Sequence, residues 1–404
     1  MGQPLKKKEV PRRNTIADIK AKMGFATGDT KTASMAASNA DKPLDWLIMP
    51  KAYQEAIKLP GIPMGYVSTV CGHSNTGKST LVNHIIVAAQ KQGLVPVIYD
   101  TENNFDFKYA IDMGMQATPV WGDVDVEVVD PTTGEVTMKK EHRILQYDGN
   151  FFYFNNSLLA ERYGKMDYST GKETSKVRKV AVIEDIARSI TEFLDMQDDG
   201  VINNGIVFCW DSVGSIDCWK SLKSSPNPMY NAASIATCFN TILNSRIPSS
   251  RKVSSPHTNT MVFINKVWVD SMSAPMAAPS LALKGGNAIF YASRLILLLG
   301  GQIKAATKKL IAETKGIKYN WAVQSKLKTI KNQLPAPFTV TYEGEVICGP
   351  HGMIETDKDA IEAYKKEHLS DILASIKDIG SKQGTDVQVS SADISFTEEE
   401  QEEE

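Results

Sequence analysis

One short stretch constrains this chain more than any other: Gly72, His73, Ser74, Asn75, Thr76, Gly77, Lys78, Ser79 and Thr80 in direct succession. It fits the spacing G-x-x-x-x-G-K-[ST]. The apolar run YVSTVC precedes it, and LVNHIIVAAQKQG follows, with Leu81, Val82, Ile85, Ile86 and Ala89 on one helical face and Gly93 as a stop. A buried strand, a glycine-bearing turn and a helix in that order aim several backbone N–H groups and the positive end of a helix at one point. That geometry suits a di- or triphosphate. Lys78 would add a cation at the outer phosphates, and the Ser79 hydroxyl a ligand for Mg2+. The whole run from Gly72 to Thr80 is therefore a candidate ATP contact.

Around this unit the strand-like runs VPVIYD, GIVFCWD, NTMVFIN and RLILLLG alternate with helical runs around FKYAIDMG, VAVIEDIARSITEFLDM and NAASIATCFNTILNS. The alternation predicts an α/β fold with a mostly parallel central sheet flanked by helices. With 404 residues, 42% of them hydrophobic and 23% charged, the chain can bury one large core plus small appendages. Residues 1–43 read as a basic arm, a short helix and a small-residue linker. Thr15 and Asp18 form a capping box there, Gly24 ends the helix, and the helix around Ile16, Ile19 and Met23 reads as an oligomerisation helix that would dock on a neighbouring subunit. Residues 44–345 read as the core, and 346–404 as a small region closing on a disordered acidic tail, TEEEQEEE. Such a tail is a solvated run or a competitor with a polyanion for a basic surface.

Between about 116 and 180 the α/β rhythm breaks. The stretch DVDVEVVDPTTGEVTMKKEHRILQYDGNFFYF alternates apolar and polar residues about the turn DPTTGE, which predicts an inserted β-hairpin. The nearby YSTGKETS is not a second phosphate loop, because Gly164 stands too far from Gly171. The five cysteines, Cys71, Cys209, Cys218, Cys238 and Cys348, lack metal-ligand spacing and mostly sit in apolar runs, so they read as reduced and structural in a cytoplasmic protein. No apolar run approaches the ~18 residues of a membrane span, and MGQPLKKKEVPRR has no hydrophobic signal core. No membrane partner is expected.

Hydrolysis needs carboxylates as well as a cradle: one to hold the metal, another to orient the attacking water. Asp211 ends the apolar strand GIVFCWD, and Glu102 follows VIYD at the end of the strand expected beside the loop strand. The competing readings are an N-cap for Asp211 and a solvated acidic turn for Asp100 and Glu102.

At these residues the sequence resembles a RecA-family recombinase. The stretches GIPMGYVSTVCGHSNTGKST, VIYDTENNFDFKYAIDMG, VFCWDSVGSI, NTMVFINKVW, GGNAIFYASRLILLL and KTIKNQLPAPF occur in the family's order. The resemblance implies a RecA-like P-loop ATPase core. Glu102 would be the catalytic base, Asp106 and Tyr109 would lie near the adenine, and Asp211 would support the metal. Lys331 would reach the ATP of a neighbouring subunit. It also implies two DNA-binding loops. The first carries Lys220, Lys223, Met229 and Tyr230; the second carries Trp268, Met272, Met276 and Lys284, and returns through Gly285, Gly286 and Asn287. Both segments read as too irregular for core elements, and apolar residues on such loops suit contact with the bases of single-stranded DNA.

Two positions depart from the family. Lys266 stands where bacterial members carry a glutamine thought to sense the γ-phosphate, and Gln333 stands where a second trans-acting cation is expected. With the insertion, these departures fit a divergent, phage-type member. The resemblance implies an ATP- and Mg2+-dependent recombinase that forms helical filaments on single-stranded DNA and pairs it with homologous duplex DNA, served by a single-strand-binding protein and a loader. Two other readings remain: a DNA-coating accessory filament in which ATP is an assembly switch, and a hexameric helicase on the same core.

Overall fold

The computed structural model describes residues 40–129, 134, 136–224, 227–269, 281–283, 285–382 and 393–400. The helix expected around Ile16, Ile19 and Met23 lies outside these residues, as do Met272, Met276 and Lys284.

Six strands run parallel through the middle of a twelve-stranded sheet: β1 (Val67–Gly72), β2 (Val95–Asp100), β3 (Phe152–Asn155), β4 (Ile206–Asp211), β5 (Thr260–Val269) and β6 (Ser293–Leu299), in the order β6-β1-β5-β4-β2-β3. On the β6 side the sheet turns antiparallel through β7 (Lys308–Thr314), β8 (Ile317–Asn332), β9 (Glu343–Gly349), β10 (Gly352–Ile354) and β11 (Ser395–Glu400). Five pairings in the sheet are parallel and six antiparallel, so it is a mixed sheet and not the mostly parallel one expected. The physical division is clear in the burial. β1 and β2 are buried along their whole length, as strands covered on both faces must be, whereas β8 alternates buried and exposed positions.

Side chains alternate across the parallel half and feed two cores. Val70, Ile98, Val207, Cys209, Val262 and Ile264 face the layer of α1 (Lys78–Lys91). Val67, Val97, Tyr99, Phe208, Trp210 and Phe263 face α3 (Ile183–Asp198) and α4 (Pro228–Cys238). In α3 the buried Ile183, Ile186, Ala187, Ile190, Phe193 and Leu194 repeat at helical spacing, each large aliphatic or aromatic group worth roughly 1.5–3 kcal/mol on burial. A third core packs Trp321, Ile347 and Ile354 of the antiparallel half against Tyr364, Ile372 and Ile376 of α6 (Lys358–Glu367) and α7 (Leu369–Lys382).

Three segments differ from the sequence reading. The FFYF run is not part of the hairpin. It forms β3, paired parallel with Val97–Asp100 at the sheet edge, while the two-stranded ribbon itself spans Thr118–Val129 and Val136–Asp148. The segment expected to be an irregular first loop holds a helical turn, Trp219–Lys223, and the start of α4, where Asn227 accepts from the Met229 N–H and Pro228 occupies the first turn. The second begins as strand: β5 continues through Val269 and pairs antiparallel with Leu281–Leu283. Within the run expected to be a disordered acidic tail, Ser395–Glu400 is paired along β7; residues 401–404 lie outside the described residues. Ile394 and Phe396, half-buried at alternate positions, supply the pattern that a scan dominated by glutamates hides.

The register places the carboxyl ends of the parallel strands in one row. Gly72 pairs with Lys266 and Leu299, and Asp100 pairs with Asp211. Strand ends aligned in this way are where open α/β sheets offer a crevice.

Candidate functional site

The turn after β1 is shaped by close approach. A Cβ on Gly72 would lie 2.4 Å from the Leu299 carbonyl oxygen and 2.8 Å from Thr76 Oγ1, so only glycine lets the chain leave the strand here. Asn75 and Gly77 take left-handed backbone, with φ of 58° and 93°, and bend the chain into α1. Gly77 is the N-cap of α1 and offers no side-chain cap, which leaves the first-turn N–H groups directed outward beside Lys78 and the exposed Ser79. Thr76 Oγ1 donates to the His73 carbonyl at 3.0 Å, and Lys78 Nζ donates to the same oxygen. Among the described residues His73 Nε2 is buried without a hydrogen-bond partner. An uncapped helix start, a glycine cradle and an orphaned ring nitrogen together fit an anionic group at this turn. Burial pulls the Lys78 ammonium below its ordinary pKa, opposed by the charges of Asp211 and Glu102.

Two carboxylates reach the same cleft from neighbouring strands. Glu102 Oε1 accepts from Ser212 Oγ at 2.5 Å and Ser215 Oγ at 2.6 Å, and pairs with Lys266 Nζ at 2.9 Å. Burial pushes this carboxyl up, but the three donors outweigh it and hold the group down at about 2. Asp211 behaves in the opposite way: burial, then the charges of Glu102 and Asp100, raise it to about 6 despite Lys78 and Lys266. Its peptide bond to Ser212 is cis. Asp100 has a structural task. Its oxygens accept from the Asn104 and Phe105 N–H groups at 3.1 and 2.9 Å and from Tyr153 OH at 2.9 Å, which ties down the loop that carries Glu102.

Lys78, Ser79, Glu102, Asp106, Tyr109, Asp211 and Lys266 line one cleft of about 300 Å3, together with Ser74 and Asn75 of the turn. Asp106 caps the short helix α2 (Phe107–Asp112), accepting from the Tyr109 N–H at 3.0 Å. Tyr109 OH donates to the Gly349 carbonyl at 3.0 Å and lies 2.7 Å from Thr80 Oγ1, so Thr80 faces the β9 side. A second cleft flanks the other side of the turn, where Gly77, Lys78 and Ser79 meet Lys309, Asn320 and Cys348.

The remaining predicted residues lie elsewhere. Lys331 is outside this cleft: its Nζ donates to the carbonyls of Phe290 and Tyr291 at 2.7 and 3.4 Å and sits 4.8 Å from the Phe290 ring centre. Arg294 stands beside it and reaches Gln333 Oε1 at 3.5 Å. Lys220 lies over the Tyr230 ring at 4.2 Å, and Lys223 over Trp219 at 4.3 Å while reaching Asp167 at 3.3 Å. Met229 is 75% exposed. Trp268 lies in β5, and Gly285 and Gly286, both with positive φ, lead into Asn287 at the start of helix α5 (Asn287–Ala292). A Cβ on Gly285 would meet Ile289 and Val213 within 3 Å, so this glycine serves packing.

Ser215 as an anchor of Glu102, the Lys266–Glu102 pair and the loop-organising role of Asp100 escaped the sequence reading. Ser215 carries no motif of its own. The other two depend on strand register, which residue spacing does not reveal.

With this geometry established, comparison with known proteins is informative. The model of the RecA N-terminal domain matches residues 49–147, about a quarter of the chain. Protein RecA of Chloroflexus aggregans (strain MD-66 / DSM 9485) is 37% identical over 84 residues, 21% of this chain and 22% of that protein. Protein RecA of Treponema pallidum (strain Nichols) is 32% identical over 85 residues, 21% and 19% of the two chains. Protein RecA of Chlorobium limicola is 40% identical over 60 residues, 15% and 17%. The chain thus spans about a fifth of the length of these curated relatives. Asp211, Lys266 and Lys331 lie beyond the segment that the family model matches. That segment contains the glycine turn, α1, β2 and Glu102, and it is through this segment that the chain is similar to RecA proteins.

Proposed function

We propose that the chain is an ATP-dependent DNA recombinase that assembles on single-stranded DNA and promotes its pairing and strand exchange with homologous duplex. The observation that carries this reading is the position of Glu102, held ionised in the same cleft as Lys78, Ser79 and Asp211.

The outward N–H groups of the turn and Lys78 would hold the triphosphate. Ser79 and Asp211 would hold Mg2+, which supplies neutralising charge at the phosphate oxygens when bound. Glu102 would orient the attacking water through Oε2, because Ser212, Ser215 and Lys266 converge on Oε1. A carboxylate held near 2 is a weak base, so its contribution is positioning more than proton removal. Lys331, with Arg294 beside it, would face a neighbouring subunit of a helical filament. The surface around Lys220, Lys223, Met229 and Tyr230, with Trp268, Lys284 and the turn Gly285-Gly286-Asn287, would hold DNA by backbone and base-face contacts. Lys220 and Lys223 already have partners within the chain, so each subunit would bind weakly and affinity would accumulate along the strand. A single-strand-binding protein, a loader and a cytoplasmic setting belong to the same reading. Among the described residues no helix is long and apolar enough to cross a membrane.

The Lys266–Glu102 pair favours one alternative, a DNA-coating filament in which ATP is an assembly switch and turnover is incidental, because the ammonium occupies the base. The test measures ATP hydrolysis with and without single-stranded DNA, together with joint-molecule formation. The recombinase reading expects DNA to stimulate turnover and joint molecules to form. Turnover indifferent to DNA would sink it, filaments without exchange would favour the coating protein, and closed rings with directional unwinding would favour a helicase.

A further inference from the structure

Far along the sequence from the nucleotide cleft, three potential ligands meet where the β9–β10 hairpin touches the elbow between α6 and α7. His351 lies in the hairpin turn, His368 at the junction of the two helices and Asp371 in the first turn of α7. One ligand atom from each lies within 4.8 Å of the others. We infer that His351 Nε2, His368 Nδ1 and the Asp371 carboxylate form a site for a divalent transition ion of the zinc class.

The distances carry the argument. Asp371 Oδ2 is 3.8 Å from His351 Nε2 and 3.7 Å from His368 Nδ1. Both exceed a hydrogen bond, whose limit is about 3.2 Å for N–H···O. They lie close to the ~3.4 Å that separates two ligands on a tetrahedral zinc with bonds of ~2.0–2.2 Å. The two imidazoles stack in parallel, 3.8 Å between centres and 10° between planes. A ring nitrogen's lone pair lies in the plane of its ring, so stacked rings cannot both aim at one ion as they stand, and binding would rotate one imidazole out of the stack. The other nitrogen of His351, Nδ1, is 3.1 Å from Tyr364 OH, the kind of outer contact that fixes the orientation of a metal-binding ring. Tyr364 is itself held by stacking on Trp321 at 5.5 Å. Both histidines are half-buried and Asp371 is exposed, so an ion can enter from the carboxylate side and keep a water as its fourth ligand. Two nitrogens and one oxygen select a zinc-class ion over Mg2+, which prefers oxygen and retains its waters.

Such an ion would staple the C-terminal helices to the hairpin. The hairpin is in turn tied to the helix behind the glycine turn by the Met353 N–H, which donates to His84 Nε2 of α1 at 2.9 Å, and to α2 by the Gly349 carbonyl, which accepts from Tyr109. The site therefore stands one step of contacts from the nucleotide cleft while using none of its residues.

The test titrates the full chain with Co2+, then Zn2+, in buffer that contains Mg2+, and follows visible absorption, stoichiometry and the thermal unfolding midpoint. The expected result is one Co2+ per chain with a ligand-field band, displaced by Zn2+, and a higher midpoint with either ion. Asp371→Asn, at an exposed position, should bind at least ~10-fold more weakly while folding normally, and His368→Gln should lose the band. His142→Gln, which alters the separate His142–Asp123 contact on the ribbon, should bind as wild type. A stoichiometry unchanged in both Asp371→Asn and His368→Gln, or no band in wild type, would overturn the proposal.

Discussion

At the scale of single residues, this fold hides ionisable groups whose surroundings decide its tolerance of pH and substitution. His84 is half-buried on α1, and first desolvation, then the charge of Lys91, lower its pKa from 6.5 to about 4. The unfolded chain therefore takes up the proton first as pH falls. Stability from this group is complete above the unfolded value and is lost between about 6.5 and 4, an effect of up to about 3 kcal/mol. His84→Gln, compared with wild type in urea unfolding across that window, should flatten the slope. An unchanged slope would remove His84 from the account. Asp185 is fully buried and accepts from Arg178 through two bonds of 2.7 and 2.8 Å, from Tyr168 OH at 2.7 Å and from the Val182 N–H at 2.8 Å. Asp185→Asn leaves the Arg178 guanidinium buried without its counter-charge and should cost about 3–5 kcal/mol in denaturant unfolding. This pair joins the segment after the ribbon to α3, and no motif marks it, because its partners are seven residues apart across an irregular stretch.

At the scale of elements, the strands of the parallel half were legible because they are short apolar runs bounded by turn residues, as in VPVIYD and GIVFCWD. The antiparallel half was harder. β8 spans sixteen residues with lysines at Lys318, Lys326, Lys328 and Lys331, and a half-exposed strand of that kind carries little apolar signal. β11 was hidden further, since four of its six residues are Thr or Glu and its pairing partner precedes it by about eighty residues. Its contacts make a measurable claim. Phe396 meets the Trp321 ring edge-on at 6.3 Å, and Lys318–Glu399 and Lys308–Glu398 pair across the strands at 2.6 and 3.8 Å. Those ion pairs are exposed and each contributes no more than about 1 kcal/mol, so the backbone ladder and Phe396 must hold the strand. Truncation after Ala392 should therefore raise amide hydrogen exchange across Lys308–Glu313 in mass-spectrometric mapping, whereas added salt should raise it only slightly. Exchange in β7 that ignores the truncation would return Ser395–Glu400 to a free tail.

At the scale of the whole molecule, the parallel half of the sheet carries the candidate chemistry and the antiparallel half closes over one side of it. Gly72, Asp100, Asp211 and Lys266 share one end of the sheet because parallel strands in register bring their carboxyl ends together. Glycine spacing and strand-end carboxylates marked most of that row in the sequence. What spacing could not convey is the electrostatic inequality of the two acids, one held at about 2 by three donors and the other raised to about 6 by burial and its neighbours. Under the proposed function that inequality would give them different tasks, with Glu102 positioning water and Asp211 near the metal. The most direct measurement is Glu102→Gln, with ATP affinity by equilibrium binding and ATP turnover on single-stranded DNA determined on the same preparation. The account predicts affinity within a few-fold of wild type and turnover lower by roughly 10²–10⁴. Turnover at the wild-type rate, or loss of ATP binding together with turnover, would contradict it.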